Sequence, residues 1–227
     1  MKMQYGKGIW QFALISLLLA IVWIASTTIS MSQTDNTWSD LEYLTWVSQP
    51  DIMYRIVFIS MTVMTALTVA LLISFFMYFY EKSKIWSIIA VMFVPVYGAM
   101  NIFSYSIQIA MVPSMSAHAL YTSGDISFVL QLLVITLGRY TVVGLINQIA
   151  TTLLAIPSII FGYMLIKDSK KISGFLLVIH GVLCSFGIIG YLAQIPVLAI
   201  GDTVGGITYV IGLLFLIVEF NKKTKKD

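Results

Sequence analysis

Residues 52–80 read IMYRIVFISMTVMTALTVALLISFFMYFY, a run of 29 positions with one charge, Arg55, near its start. At about 1.5 Å of rise per residue, a helix of this length exceeds the ~30 Å hydrocarbon core that about 20 apolar residues cross. Backbone polar groups find no water there, so the segment satisfies them as a helix. The turn Glu81-Lys82-Ser83-Lys84 closes it, and the chain becomes apolar again at Ile85. Working outward, four further stretches of this kind complete six spans, at about 9–31, 52–80, 85–112, 141–166, 172–196 and 201–220. The predicted fold class is all-α, a polytopic bundle of six transmembrane helices forming one transmembrane domain over 1–227.

Composition agrees. The chain of 227 residues is 59% hydrophobic and 10% charged, with a mean hydropathy of +0.94. Soluble domains are about 45–50% apolar. The longest polar interval, 32–51, is too short for an appended soluble domain, so the expected environment is a lipid bilayer. The net charge of +3 sits in turns and in the tail, where topology accounts for it, and no nucleic acid partner is expected. Cys184 is the sole cysteine, which rules out an intrachain disulfide and a thiolate metal cage. The first apolar run follows Lys2 and Lys7 and outlasts the ~7–15 residues of a signal peptide, and Ala25-Ser26-Thr27 is a poor cleavage site, so an uncleaved first helix is expected.

With six crossings, Lys2, Lys7, Lys82, Lys84, Lys167, Lys170, Lys171, Lys222, Lys223, Lys225 and Lys226 share one side and only Arg55 and Arg139 the other. The positive-inside rule puts that lysine side, with both termini, in the cytoplasm. The 12 residues of 126–137 form a seventh apolar run, reaching about 18 Å as a helix, too short to cross. Treating it as a re-entrant or interfacial segment keeps the lysines together. Trp10 and Trp86 flank the inner boundary, and Trp38, Tyr43, Trp46 and Tyr54 the outer one. Ser39 to Glu42 reads as a capping box ahead of Leu41, Leu44 and Val47, giving a short outer interfacial helix ended by Gln49-Pro50. Pro113 to Asp125, with His118, Tyr121 and Gly124, reads as a flexible loop.

Polar residues recur inside the spans. Asn101, Ser104, Tyr105 and Gln108 of the third fall within an arc of roughly 100°. Gly144, Asn147, Gln148, Thr151, Ala155, Ser158 and Gly162 share a side of the fourth, and His180, Cys184, Gly187, Tyr191 and Gln194 one of the fifth. Such faces turn inward, because an unpartnered amide in hydrocarbon costs several kcal/mol. By depth, Asn101, Tyr105, Gln108, Asn147, Gln148, Tyr191 and Gln194 are expected to line a polar pocket opening outward between spans three, four and five. Arg55, Arg139 and Asp125 would stand at its mouth. Helix packing accounts for the same faces without any ligand.

His180 is the deepest ionisable residue, a candidate proton site or a neutral packing histidine. No intramembrane carboxylate is expected beside it, since Asp202 and Glu219 fall at the two ends of the sixth span, within reach of water. Pro95 and Pro157 each remove a helical hydrogen bond and can kink their spans. Two histidines far apart supply no His-x-x-x-His or His-Glu-x-x-His metal site, and there is no Gly-x-Ser-x-Gly elbow or phosphate loop. Neither an enzyme nor a cofactor is expected.

Phe161-Gly162-Tyr163-Met164-Leu165-Ile166, the turn Lys167-Asp168-Ser169-Lys170-Lys171, and Gly174 through Gly190-Tyr191-Leu192 carry a resemblance. This block resembles the closing half of a bacterial six-helix membrane family catalogued only as a domain of unknown function. The resemblance implies a multi-pass protein of the bacterial cytoplasmic membrane and transfers no site residue. The expected function is non-catalytic: binding or passing a small amphipathic molecule or lipid through the outward pocket. Two alternatives stand beside it. One is an interaction or sensor subunit packed against a partner membrane protein or a second copy; the other is proton-linked transport using His180.

Overall fold

The computed structural model describes residues 2–33, 38–122, 126–132, 134 and 140–224, and their side chains except at 2–4, 126, 127, 131 and 222–224. Arg139 and Asp125, expected at a pocket mouth, lie outside the described residues. The described elements are all helices: α1 (Lys2–Ser32), α2 (Asp40–Ser48), α3 (Ile52–Phe79), α4 (Lys84–Thr122), α5 (Ile126–Leu132), α6 (Val142–Lys167), α7 (Lys171–Ala193) and α8 (Pro196–Thr224). Six of them, α1, α3, α4, α6, α7 and α8, are long and apolar enough to cross a membrane. Their outward residues include Leu18, Met92, Leu192 and Val197, all more than half exposed, as a lipid-facing surface requires.

Two helices depart from the expected boundaries. α4 does not stop at Val112 but runs on through Pro113 to Thr122, 39 residues or about 58 Å. The expected flexible loop is helix as far as Thr122 because Val112, Ser116 and Ala119, spaced as one helical face, are buried. Ser114 Oγ donates to the carbonyls of Ala110 and Met111 beside the proline. Packing on one face thus outweighs the single hydrogen bond that Pro113 removes. α8 begins at Pro196, earlier than expected, because α7 ends in a compact turn. Gln194 takes a left-handed conformation (φ 55°), its N–H bonds Tyr191 O, and Ile195 N–H bonds Gly190 O at 2.8 Å, the Schellman pattern. Proline then suits the first helical position.

The chain divides into two compact units. The first comprises Met1–Leu18, Thr65–Ala99 and Gln148–Asp227. Its core contains Phe75, Phe79 and Phe161, with Phe79 and Phe161 stacked at 6.4 Å between centroids. Glycines let α7 approach both neighbours: a Cβ on Gly174 would meet Gly162 O at 2.6 Å on α6, and one on Gly190 would meet Ala199 N at 2.2 Å on α8.

The second unit comprises Leu19–Met64 and Met100–Asn147. Its core joins Leu44 and Val47 of α2 to Tyr54, Phe58, Tyr105, Val112 and Val129. The Ser39 capping box forms as expected: Glu42 N–H bonds Ser39 Oγ, and Glu42 Oε2 accepts from Ser39 N–H at 2.7 Å. Of the three apolar residues assigned to an interfacial face, Leu44 and Val47 are buried against protein and only Leu41 is exposed. Within 126–137, the described part is the seven-residue α5 and Val134; Val129, Leu130 and Val134 join the same core.

Candidate functional site

The residues expected to share one pocket fall into both units, and each set is described by itself. In the second unit, Asn101, Tyr105, Gln108 and Asn147 are all buried. Asn147 Nδ2 donates to Asn101 Oδ1 at 2.8 Å, joining α6 to α4, while Tyr54 OH reaches Gln108 O at 3.4 Å. Arg55 is exposed on the first turn of α3. In the first unit, Tyr191 is half-buried and Gln194 is exposed, drawn out of any helical face by its place in the turn.

Gln148 leads to a group that the sequence did not single out. Its Nε2 donates to Oδ2 of Asp202 at 3.2 Å. With α8 starting at Pro196, Asp202 is the seventh residue of the helix, roughly 9 Å from its end. The expectation that Asp202 lies at the helix end is therefore corrected: it belongs to the second turn of α8, on the side that meets Gly187 of α7. Thr151 and the Cys184 thiol flank the carboxyl. Cys184 Sγ lies 3.6 Å from Nδ1 of His180, one helical turn away on α7.

His180 is buried, with Nδ1 3.0 Å from Gly205 O. A carbonyl only accepts, so Nδ1 carries hydrogen, and Nε2 is the nitrogen that gains or loses a proton when the ring changes charge. The ring lies against Tyr209, at 5.1 Å between centroids, and Tyr209 OH shares a 3.0 Å hydrogen bond with Thr68 of α3. Gln148, Asp202, Cys184, His180, Tyr209 and Thr68 thus follow one another within one compact unit, carried by α6, α8, α7 and α3. The polar side of α7 meets α8: Gly187 admits Asp202, and Gly205 sits against Cys184. The signal in the sequence was Pro196, which starts α8 a turn and a half before Asp202. Among the described residues, no three His, Cys, Asp or Glu side chains converge as a metal site needs.

A second polar group closes the other end of this unit. Ser169, at φ 65°, ends α6 in another Schellman turn, with Lys170 N–H on Leu165 O at 2.9 Å. The turn sends Lys170 inward, where it is only 3% exposed. Its ammonium pairs with Asp168, donates to Tyr78 OH at 3.2 Å and lies 4.6 Å from the centre of the Phe220 ring. Asp168 also pairs with Lys82 and accepts from Tyr78 OH at 2.8 Å. Burial alone would raise the Asp168 carboxyl, but hydrogen bonds from Lys170, Lys82 and Tyr78 outweigh it and hold the group well below its ordinary value. Lys170, read from sequence as a topology lysine, is a buried clamp between α3, the α6–α7 turn and α8.

No protein-family profile matches this chain, and no curated protein or solved structure shows significant similarity to it.

Proposed function

We propose that this multi-pass membrane protein passes protons among Asp202, Cys184 and His180, with the Gln148 amide holding the carboxyl in place. It would act as a proton-linked transporter, in a bacterial cytoplasmic membrane with both termini inside. The observation that carries this reading is the Asp202 carboxyl inside an apolar helix, separated from the His180 ring by one thiol. Ionisable groups are retained at such depth at high cost, and mark ion or proton pathways. His180 can exchange a proton at Nε2, which lies 3.9 Å from Cys184 Sγ, while Nδ1 stays on Gly205 O. Gln148 Oε1, buried and without a hydrogen-bond partner among the described residues, is an acceptor that a water could satisfy where protons enter.

The amphipathic-ligand reading has less support, since Asn101, Gln108 and Asn147 are buried and Asn101 and Asn147 bond each other. That arrangement favours helix joining. Infrared difference spectra of the reconstituted chain, recorded across pH, test the relay. A carboxyl band lost in Asp202→Asn and displaced in His180→Gln is expected. A band indifferent to His180→Gln would contradict coupling between the two groups.

A further inference from the structure

We propose that the two lysine turns of the first unit form a seat for the headgroup of an anionic phospholipid. The Lys82–Asp168 ion pair brings the 81–84 turn against the 167–171 turn, so their lysines make one patch. Within these turns five lysines face only two acids, Glu81 and Asp168. Asp168 is already engaged by Lys82 and Lys170, the latter buried. Lys84, Lys167 and Lys171 are exposed around that pair.

Two of these are held over aromatic rings: Lys167 Nζ lies 4.5 Å from the Tyr163 ring centre and Lys84 Nζ 5.5 Å from that of Tyr80. A ring beneath the ammonium limits its motion and leaves donors for a phosphate. Beside the lysines, Ile85, Trp86, Tyr163 and Ile172 are each at least half exposed. A ligand there meets positive charge at one end and apolar surface along its length. That is the chemistry of a phosphate bearing acyl chains, which basic seats at membrane ends recognise. A zwitterionic headgroup would bring its own cation against the lysines, and a soluble phosphate would leave the apolar flank unused.

The test is thermal unfolding of the full chain in detergent with phosphatidylglycerol, phosphatidylcholine or glycerol 3-phosphate added. Ligand binding to the folded state raises the midpoint by mass action. Phosphatidylglycerol should raise it and the other two should not. The variant Lys84→Gln/Lys167→Gln/Lys171→Gln should lose that rise, and the charge-matched control Lys2→Gln/Lys7→Gln/Lys223→Gln should keep it. Equal rises with both lipids, an equal rise with glycerol 3-phosphate, or an equal loss in the control would overturn the proposal. If the triple variant does not fold, native mass spectrometry of wild type from mixed-lipid nanodiscs decides. Several-fold retention of phosphatidylglycerol over phosphatidylcholine is expected, and equal retention overturns it.

Discussion

Gly187 of α7 stands so close to Asp202 of α8 that a Cβ on the glycine would lie 2.9 Å from the Cβ of the aspartate. The backbone N of Asp202 would be 3.0 Å away, so rotating a side chain cannot relieve the clash. The helices must separate instead. Gly187→Ala should therefore lower stability by about 1–3 kcal/mol, the usual scale of overpacking. Unfolding in detergent would show it, and an unchanged midpoint would mean that α7 and α8 have slack at this level.

Asp168 should make stability depend on acid pH. Its carboxyl is held below the ordinary value of 3.8, so the folded state binds fewer protons than the unfolded one as pH falls. The stabilisation is fully present above that ordinary value and is lost as pH drops through it toward the folded value. Asp168→Asn should lower stability at neutral pH and flatten the acid limb of the pH profile. Parallel acid limbs in wild type and variant would count against the Lys82–Asp168–Lys170 arrangement.

The Asn101–Asn147 hydrogen bond should register as a pairwise coupling between α4 and α6. Interhelical bonds of this kind average about 0.6 kcal/mol and reach about 2 kcal/mol. A double-mutant cycle with Asn101→Ala and Asn147→Ala should return a coupling in that range. Strict additivity would show that the two amides do not act on each other.

At α2, Ser39→Ala removes the acceptor for Glu42 N–H and one side of the capping box. The cost should be about 1 kcal/mol, with faster amide exchange in the first turn of the helix. Exchange that is unchanged at Asp40 to Tyr43 would contradict the cap.

The six spans were legible because length and hydropathy alone decide them in a bilayer. The α2 cap was legible because Ser39 and Glu42 are local partners. What escaped was tertiary. Pro113 and the residues after it carry loop chemistry, yet the buried face Val112, Ser116 and Ala119 keeps them helical. Asp202 looks terminal in the sequence because the sixth apolar run resumes at Gly201 after Pro196, while the turn at Gln194 starts the helix at Pro196. Angular position on α7 put His180 and Cys184 on one face correctly, but could not say that α8 covers it. Lys170 likewise matches its neighbours in sequence, and only the left-handed Ser169 turns it inward.

Proton flux into proteoliposomes is the most direct measurement. A pH-sensitive dye inside would follow an imposed gradient with the potential clamped by potassium and valinomycin. The wild-type chain should acidify the lumen faster than empty vesicles, while Asp202→Asn and His180→Gln at equal incorporation should fall to the empty-vesicle rate. Wild-type flux that both substitutions leave unchanged, or wild-type flux no faster than that of empty vesicles, would contradict a proton path through these two residues.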